Sequence, residues 1–356
     1  MSPKILYMKR FFTESEERLN AFYKLLNNPG KFVITSHQNP DGDAFGSSLG
    51  LYFFLKSFDI HKITVISPTD HTDFLGWMPG VKDVLNFESS AKEQARQLIS
   101  EADAIFCLDF SSLGRLKDME ELVRNSSAVK VLIDHHQEPD QFADFVFWNE
   151  LASSTCELVY QLIEALDLTG RISLDAANCL YTGILTDTGS FKFDSTGPEV
   201  HRIAGELLRK GVRPNKINRD LFDTNSFDRL RLLGYVLSKK MVYLPEYRVA
   251  YMKISESELK QYNSKNGETE GIVNYGLSIK DAVMSVIFIE KDQMIKISFR
   301  SVDEFSVSQL ARDHFSGGGH HNAAGGKSDL NLEETEQKFL NLLPFYKNQL
   351  LSQPKS

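Results

Sequence analysis

Short apolar runs alternate with amphipathic stretches over the first part of the chain, and that alternation predicts a parallel sheet with helices on both faces. The runs are Lys31 to Ser36, Ile63 to Ile66, Ala104 to Leu108 and Val129 to Ile133. Phe32-Val33-Ile34 in the first of them suits a strand buried on both sides. Between the runs lie helical patterns: Glu14 to Leu26, opened by the capping-box pair Thr13 and Glu16; Ala44 to Phe58, where Gly46 and Gly50 admit a close neighbour; Ala91 to Ile99; and Lys117 to Val123. Farther on, Ser154 and Glu157 predict a capping box for a helix to Leu166, and Leu174 to Leu185 predicts another. Thr196 and Glu199 predict a further capping box, and with Pro198 in the first turn and Gly211 after the last they bound a helix over Gly197 to Lys210.

Beyond this point the texture changes. The polar stretch Arg213 to Ser226 reads as a connector into a helix from Phe227 to Lys239, so a helical connector is expected over 213–239 between domains at 1–212 and 240–356. Met241 to Leu244 with Tyr247 to Ile254, and Ala282 to Ile289 with Met294 to Arg300, predict two hairpins. Ser306 to Phe315 is helical in pattern, residues 316–326 break it with a glycine-rich run, and Leu332 to Leu351 predicts a long closing helix.

Composition fits this outline. The 356 residues exceed one average domain, and 42% apolar with 25% charged residues is the usual pattern of globular chains with packed cores. No apolar run reaches the roughly 18 residues of a membrane span, and no signal-peptide core is seen at the start, so a cytoplasmic protein without a membrane partner is expected. Cys107, Cys156 and Cys179 sit inside apolar segments without paired metal-ligand spacing and read as reduced core residues. A net charge of -8 disfavours a broad surface for long nucleic acid. A short phosphorylated substrate stays open, because bound cations can supply positive charge locally.

The candidate chemistry gathers at strand ends. Ser36 to Gly50 reads SHQNPDGDAFGSSLG, and its His37, Asp41 and Asp43 let one loop aim an imidazole and two carboxylates at a common point. Asp41-Gly42-Asp43 reads equally as turn chemistry and a helix cap, and both readings stand at this point. The third run stops at Asp109, the fourth at Asp134-His135-His136, and Asp187 follows a helix end. Ligands of open α/β sheets collect outside the carboxyl ends of strands, so these groups are placed to converge. Carboxylates that bridge two divalent ions about 3.5 to 4 Å apart are the basis of two-metal phosphoester hydrolysis. The mixture of imidazole and carboxylate favours Mn²⁺ over Mg²⁺.

Asp134-His135-His136 resembles the signature of the DHH phosphoesterases, and the other motifs follow in that family's order: His37-x-x-x-Asp41-x-Asp43, then Asp109, then Asp187. Gly317 to His320 with Ala323-Ala324-Gly325 resembles the associated DHHA1 substrate-binding domain. The resemblance covers most of the chain. It implies an α/β fold, with a doubly wound, mostly parallel DHH domain, a smaller α/β DHHA1 domain and an active-site cleft between them. It further implies two divalent ions, Mn²⁺ with Mg²⁺ or Co²⁺ as alternatives, one held by His37, Asp41 and Asp109 and the other by Asp43, Asp109, His135 and Asp187. Asp109 would bridge them, His136 would face the substrate phosphate, and Asp134 would orient His135, which makes His136, Asp109 and Asp134 the expected catalytic group. Arg300 would bind phosphate, and Gly318, Gly319 and His320 would meet the nucleotide end.

Within the family, the glycine-rich loop differs from the Ser-Arg-Lys pattern expected of the pyrophosphatases, and the chain lacks room for the extra domain of the long-substrate exonucleases. What remains is similar to members that cleave very short single-stranded RNA and remove the 3'-phosphate of adenosine 3',5'-bisphosphate. Duplex nucleic acid is not an expected partner, and a homodimer is compatible with this reading. A soluble dinucleotide phosphodiesterase is the alternative, followed by a nucleotide-binding regulator without catalysis.

Overall fold

A computed structural model describes residues 16–28, 30–58, 62–265 and 267–353. The chain divides into two compact units, 1–224 and 225–356.

The first unit is built on six parallel strands in the order β3-β2-β1-β4-β5-β6. These are β1 (Lys31–Ser36), β2 (Lys62–Ser67), β3 (Leu85–Asn86), β4 (Ala104–Leu108), β5 (Val129–Asp134) and β6 (Phe145–Trp148). Strand periodicity divides the apolar residues between two cores. Phe32, Ile34, Phe106, Leu108, Val131 and Ile133 face helices α1 (Glu16–Leu26), α2 (Gly42–Leu55), α5 (Thr155–Ala165), α6 (Leu174–Asp187) and α7 (Pro198–Arg209). Val33, Ile105, Cys107 and Leu132 face α3 (Lys92–Ser100) and α4 (Glu120–Asn125) on the other side. The expected doubly wound, parallel arrangement is thus present. All three cysteines are free and buried.

Several elements differ from the sequence expectations. β3 is only two residues long and β6 only four, too short for a periodic signal. The Thr13 cap and Glu14 lie outside the described residues. Thr196 and Glu199 do not form a capping box: the N-cap of α7 is Gly197 without a side-chain bond, and Glu199 instead accepts from Arg202 at 3.1 Å. Residues 213–226 are more than a polar connector. They contain α8 (Pro214–Phe222), whose Ile217 and Leu221 join the core of the first unit.

The second unit begins with α9 (Phe227–Tyr235) and holds a mixed sheet in the order β11-β12-β10-β9-β8-β7. Both expected hairpins form, from β7 (Val242–Leu244) and β8 (Val249–Ile254), and from β9 (Met284–Lys291) and β10 (Met294–Ser301). Asp292 and Gln293 turn the second hairpin with positive φ. α10 (Glu256–Gln261) lies on the crossover to the parallel pair β8 and β9. α11 (Val307–His314) and α12 (Leu332–Leu351) cover one face through Leu310, Phe315, Phe339 and Leu343. The run 316–326, expected as a loop, forms β11 (Gly318–His320) paired to β12 (Ala323–Ser328). Glycine weakens strands in sequence terms, but here it is required: a Cβ on Gly317 would lie 2.0 Å from the Gly325 carbonyl oxygen.

Candidate metal centre

Three neighbouring strands, β1, β4 and β5, end together and deliver His37, Asp109 and the Asp134-His135-His136 run to one place. His37 follows β1 and is buried. Its Nδ1–H donates to the Gln38 carbonyl at 2.7 Å, which turns Nε2 toward the centre. That Nε2 is 3.4 Å from Asp109 Oδ2 and 3.9 Å from Asp41 Oδ2. His135 is held in the same manner. Its Nδ1 is 3.2 Å from the Ala152 carbonyl, and its Nε2 is 3.3 Å from Asp187 Oδ2, 3.6 Å from Asp109 Oδ1 and 3.9 Å from Asp43 Oδ2.

Asp109 stands between these groups, with one oxygen toward each imidazole. Its backbone φ is +65°, a left-handed conformation uncommon for an aspartate and tolerated where surrounding structure over-determines it. Two of the donor groupings share Asp109 between the imidazoles of His37 and His135: His37, Asp41 and Asp109, and Asp43, Asp109 and His135, each with ligand atoms within 4.8 Å of one another. Asp187 closes on the second through His135.

Helix ends complete the frame. Helix α2 starts at Gly42 rather than Ala44, because Asp41 is its N-cap and accepts from the N–H groups of Asp43 and Ala44, both at 3.0 Å. Asp41 therefore serves both readings of its motif, one oxygen on the helix and the other toward His37. Gly42 is needed because a Cβ there would meet Thr186 Oγ1 at 2.4 Å. Asp43 accepts from the Thr155 N–H at 2.6 Å and the Cys156 N–H at 2.9 Å, so the first turn of α5 solvates its carboxylate. Asp187 is the last residue of α6, not a residue beyond it.

Two supporting roles differ from the sequence reading. Asp134 orients His136, with His136 Nδ1 at 2.7 Å from Asp134 Oδ1, while a backbone carbonyl orients His135. The side chain of the second histidine reaches back past the strand end, a geometry that adjacency in sequence does not reveal. Thr155 was legible only as the start of a helix, yet its hydroxyl donates to Asp109 Oδ1 at 2.9 Å and its N–H donates to Asp43. The Ser154 cap was the visible signal. Glu157, its expected capping partner, accepts from Ser153 N–H instead.

The electrostatics suit a cation. Burial, with the charges of Asp109 and Asp187, pushes the Asp43 carboxyl well above the usual carboxylate range. Burial and the charges of Asp41 and Asp109 do the same to Asp187. Burial would lower His37 and His135, but their acidic neighbours outweigh it and raise both. Asp109 is pressed upward by burial, yet the three imidazoles hold it below its ordinary value. Four carboxylates thus stand against three imidazoles, an oxygen-rich donor set with excess negative charge that divalent cations would neutralise.

The residues expected to bind substrate lie in the second unit. Ala323 is the register partner of both Arg300 on β10 and His320 on β11, so the three strands bring Arg300 and His320 to one end of that sheet. Gly319 has φ +145°, and a Cβ there would meet the Ala323 carbonyl oxygen at 2.6 Å. Gly318 pairs with Gly325. Arg300 is half-buried, and its guanidinium donates to the Phe299 carbonyl at 2.9 Å.

Residues 31–184 match the DHH family, N-terminal domain, and residues 246–344 match the DHHA1 domain. A protein of Thermus thermophilus named bifunctional oligoribonuclease and PAP phosphatase NrnA is 30% identical over 315 residues, 87% of this chain and 88% of that protein. The cyclic-di-AMP phosphodiesterase GdpP of Geobacillus thermodenitrificans is 27% identical over 332 residues, 90% of this chain but 48% of that protein. A crystal structure of an exopolyphosphatase-related protein from Bacteroides fragilis is 42% identical and superposes with a TM-score of 0.91, covering 95% of this chain and 98% of that one.

Proposed function

The chain belongs to the DHH phosphoesterases and carries a DHHA1 domain, and from this premise we propose that it hydrolyses very short oligoribonucleotides to mononucleotides and converts adenosine 3',5'-bisphosphate to AMP. The observation that carries the reading is Asp109, whose two oxygens face His37 and His135 from between two donor clusters. In this proposal His37, Asp41 and Asp109 hold one divalent ion, and Asp43, Asp109, His135 and Asp187 hold the second, with Mn²⁺ the best match to the donors. When bound, such ions supply Lewis acidity and neutralise phosphate charge.

The protein's own groups do the rest. In the neutral rings of His37 and His135 the proton sits on Nδ1, where a backbone carbonyl accepts it, so Nε2 is the atom offered to a cation. His136 donates toward the substrate phosphate, and the Asp134 carboxylate accepts from its Nδ1–H and fixes the direction of the ring. Arg300 suits bidentate contact with a phosphate, and Gly318, Gly319 and His320 suit the nucleoside end.

Asp109→Ala, assayed with Mn²⁺ on pApA and adenosine 3',5'-bisphosphate, is expected to lose both activities. Substantial Mn²⁺-dependent turnover by that variant would sink the assignment. The similarity to a cyclic-di-AMP phosphodiesterase supports a second reading, in which linear or cyclic dinucleotides are the preferred substrates. Competition among pApA, cyclic di-AMP and adenosine 3',5'-bisphosphate in one reaction separates the two.

A further inference from the structure

In a doubly wound sheet the ligand crevice opens where the strand order reverses, and the order β3-β2-β1-β4-β5-β6 puts that point between β1 and β4. The loop leaving β1 carries His37, and the loop leaving β4 carries Asp109 followed by Phe110-Ser111-Ser112-Leu113-Gly114-Arg115. A hydrogen bond crosses this point, from the Gln38 N–H to the Arg115 carbonyl at 2.9 Å. Leu113 and Leu116 are buried on either side of Arg115 and anchor the turn in the core. The Arg115 backbone is therefore fixed beside the residue that follows His37.

Arg115 is exposed, and among the described residues its guanidinium makes no hydrogen bond or ion pair. Nearby cations are engaged: Lys117 with Glu88 at 3.2 Å, Lys92 with Asp118 at 3.1 Å and Arg124 with Glu120 at 2.5 Å. The positive charge of Arg115 is near enough to be felt at His37. A fixed turn thus presents an uncommitted planar cation at the rim of an acidic centre, in a chain whose net charge is -8.

We propose that Arg115 is a subsite for a second, non-reacting phosphate of the substrate, on the His37 side of the centre. The ligand class is a phosphomonoester dianion, such as the terminal phosphate of a short oligonucleotide or the second phosphate of a nucleoside bisphosphate. A guanidinium fork matches this group bidentately. The metals neutralise the phosphate that reacts, and Arg115 selects for the one that does not. This inference rests on the phosphoesterase reading above.

The test compares pApA with ApA, which differ only in the terminal phosphate, for the parent, Arg115→Ala and Arg115→Lys, with equilibrium binding of adenosine 3',5'-bisphosphate measured alongside. In Arg115→Ala the ratio of kcat/KM for pApA over ApA is expected to fall by about tenfold or more, through KM, with partial recovery in Arg115→Lys. A ratio equal to the parent's, whether both substrates are spared or both are lost alike, overturns the subsite. If the parent hydrolyses neither dinucleotide, the oligoribonuclease reading fails, and the binding measurement decides on Arg115: weaker adenosine 3',5'-bisphosphate binding by Arg115→Ala supports the subsite, and equal binding overturns it.

Discussion

Thr155 joins the two carboxylates at the heart of the centre, and removing its hydroxyl alone is the sharpest test of how the site is held. Thr155→Val keeps the shape and the N–H that binds Asp43, but deletes the 2.9 Å donor to Asp109 Oδ1. A hydrogen bond to a charged acceptor contributes about 1.5 to 3 kcal/mol. At about 1.4 kcal/mol per tenfold, that is a change of about 10- to 100-fold in metal affinity. The same range is found when groups that support metal ligands are removed elsewhere. Calorimetric titration of the metal-stripped protein with Mn²⁺ should show the loss in Thr155→Val and recovery in Thr155→Ser, which keeps the donor. Unchanged Mn²⁺ affinity in a folded Thr155→Val protein would refute the reasoning, and so would a Thr155→Ser protein as weak as the valine variant.

Other perturbations separate metal binding, chemistry and packing. Asp134→Asn removes the charge beside His136 Nδ1 while every member of the clusters around His37 and His135 stays in place, so kcat should fall by about 10- to 100-fold with a smaller change in Mn²⁺ affinity; loss of Mn²⁺ binding instead would make Asp134 part of the ligand frame. Gly183→Ala puts a Cβ 2.2 Å from Cys156 Sγ and 2.8 Å from Asp43 Oδ1, and denaturant titration should show a loss of about 1 to 3 kcal/mol. Gly170→Ala, with nothing within 4 Å, is the control. The pH dependence follows from signs. Asp43, Asp187, His37 and His135 all have raised folded-state pKa values, so their contribution to stability is complete below the ordinary values of 3.8 and 6.5 and is lost as pH rises through the raised ones. Asp109 is lowered, so its contribution is lost only as pH falls below 3.8. The metal-free melting temperature should therefore decline from about pH 4 upward, while stabilisation by Mn²⁺ grows over the same interval; a metal-free protein that gains stability from pH 5 to 8 would contradict this.

Much of the first unit could be read from the chain because its strands are buried on both faces and their ends carry polar residues in a fixed order. Phe32-Val33-Ile34 and Ile105 to Leu108 announce themselves as strands, and the groups that follow them needed only the parallel arrangement to converge. What escaped the sequence depends on contacts distant along it. The Asp43 bonds to Thr155 and Cys156 span more than a hundred residues, and no local pattern marks them. The exchange of partners between His135 and His136 turns on side-chain directions at a strand end. In the second unit, β11 and β12 were hidden because glycines and alanines carry no strand propensity of their own. α8 was hidden because only Ile217 and Leu221 of its nine residues are buried.

Asp43 and Asp187, two carboxyls raised above their ordinary values, are set at opposite kinds of helix end. Asp43 lies in the first turn of α2 and accepts from the first N–H groups of α5, so two positive helix termini offset its charge. Asp187 closes α6, where the terminal carbonyls add negative potential to a carboxylate already opposed by burial, Asp41 and Asp109. Backbone dipoles thus stabilise one side of the cluster and aggravate the other. His135, 3.3 Å from Asp187 and 3.9 Å from Asp43 with its Nδ1 held by Ala152, brings a single Nε2 to two carboxylates and cannot offset both. An arrangement that solvated its own charge fully would bind cations weakly. The deficit at Asp187 gives the centre a reason to take one up.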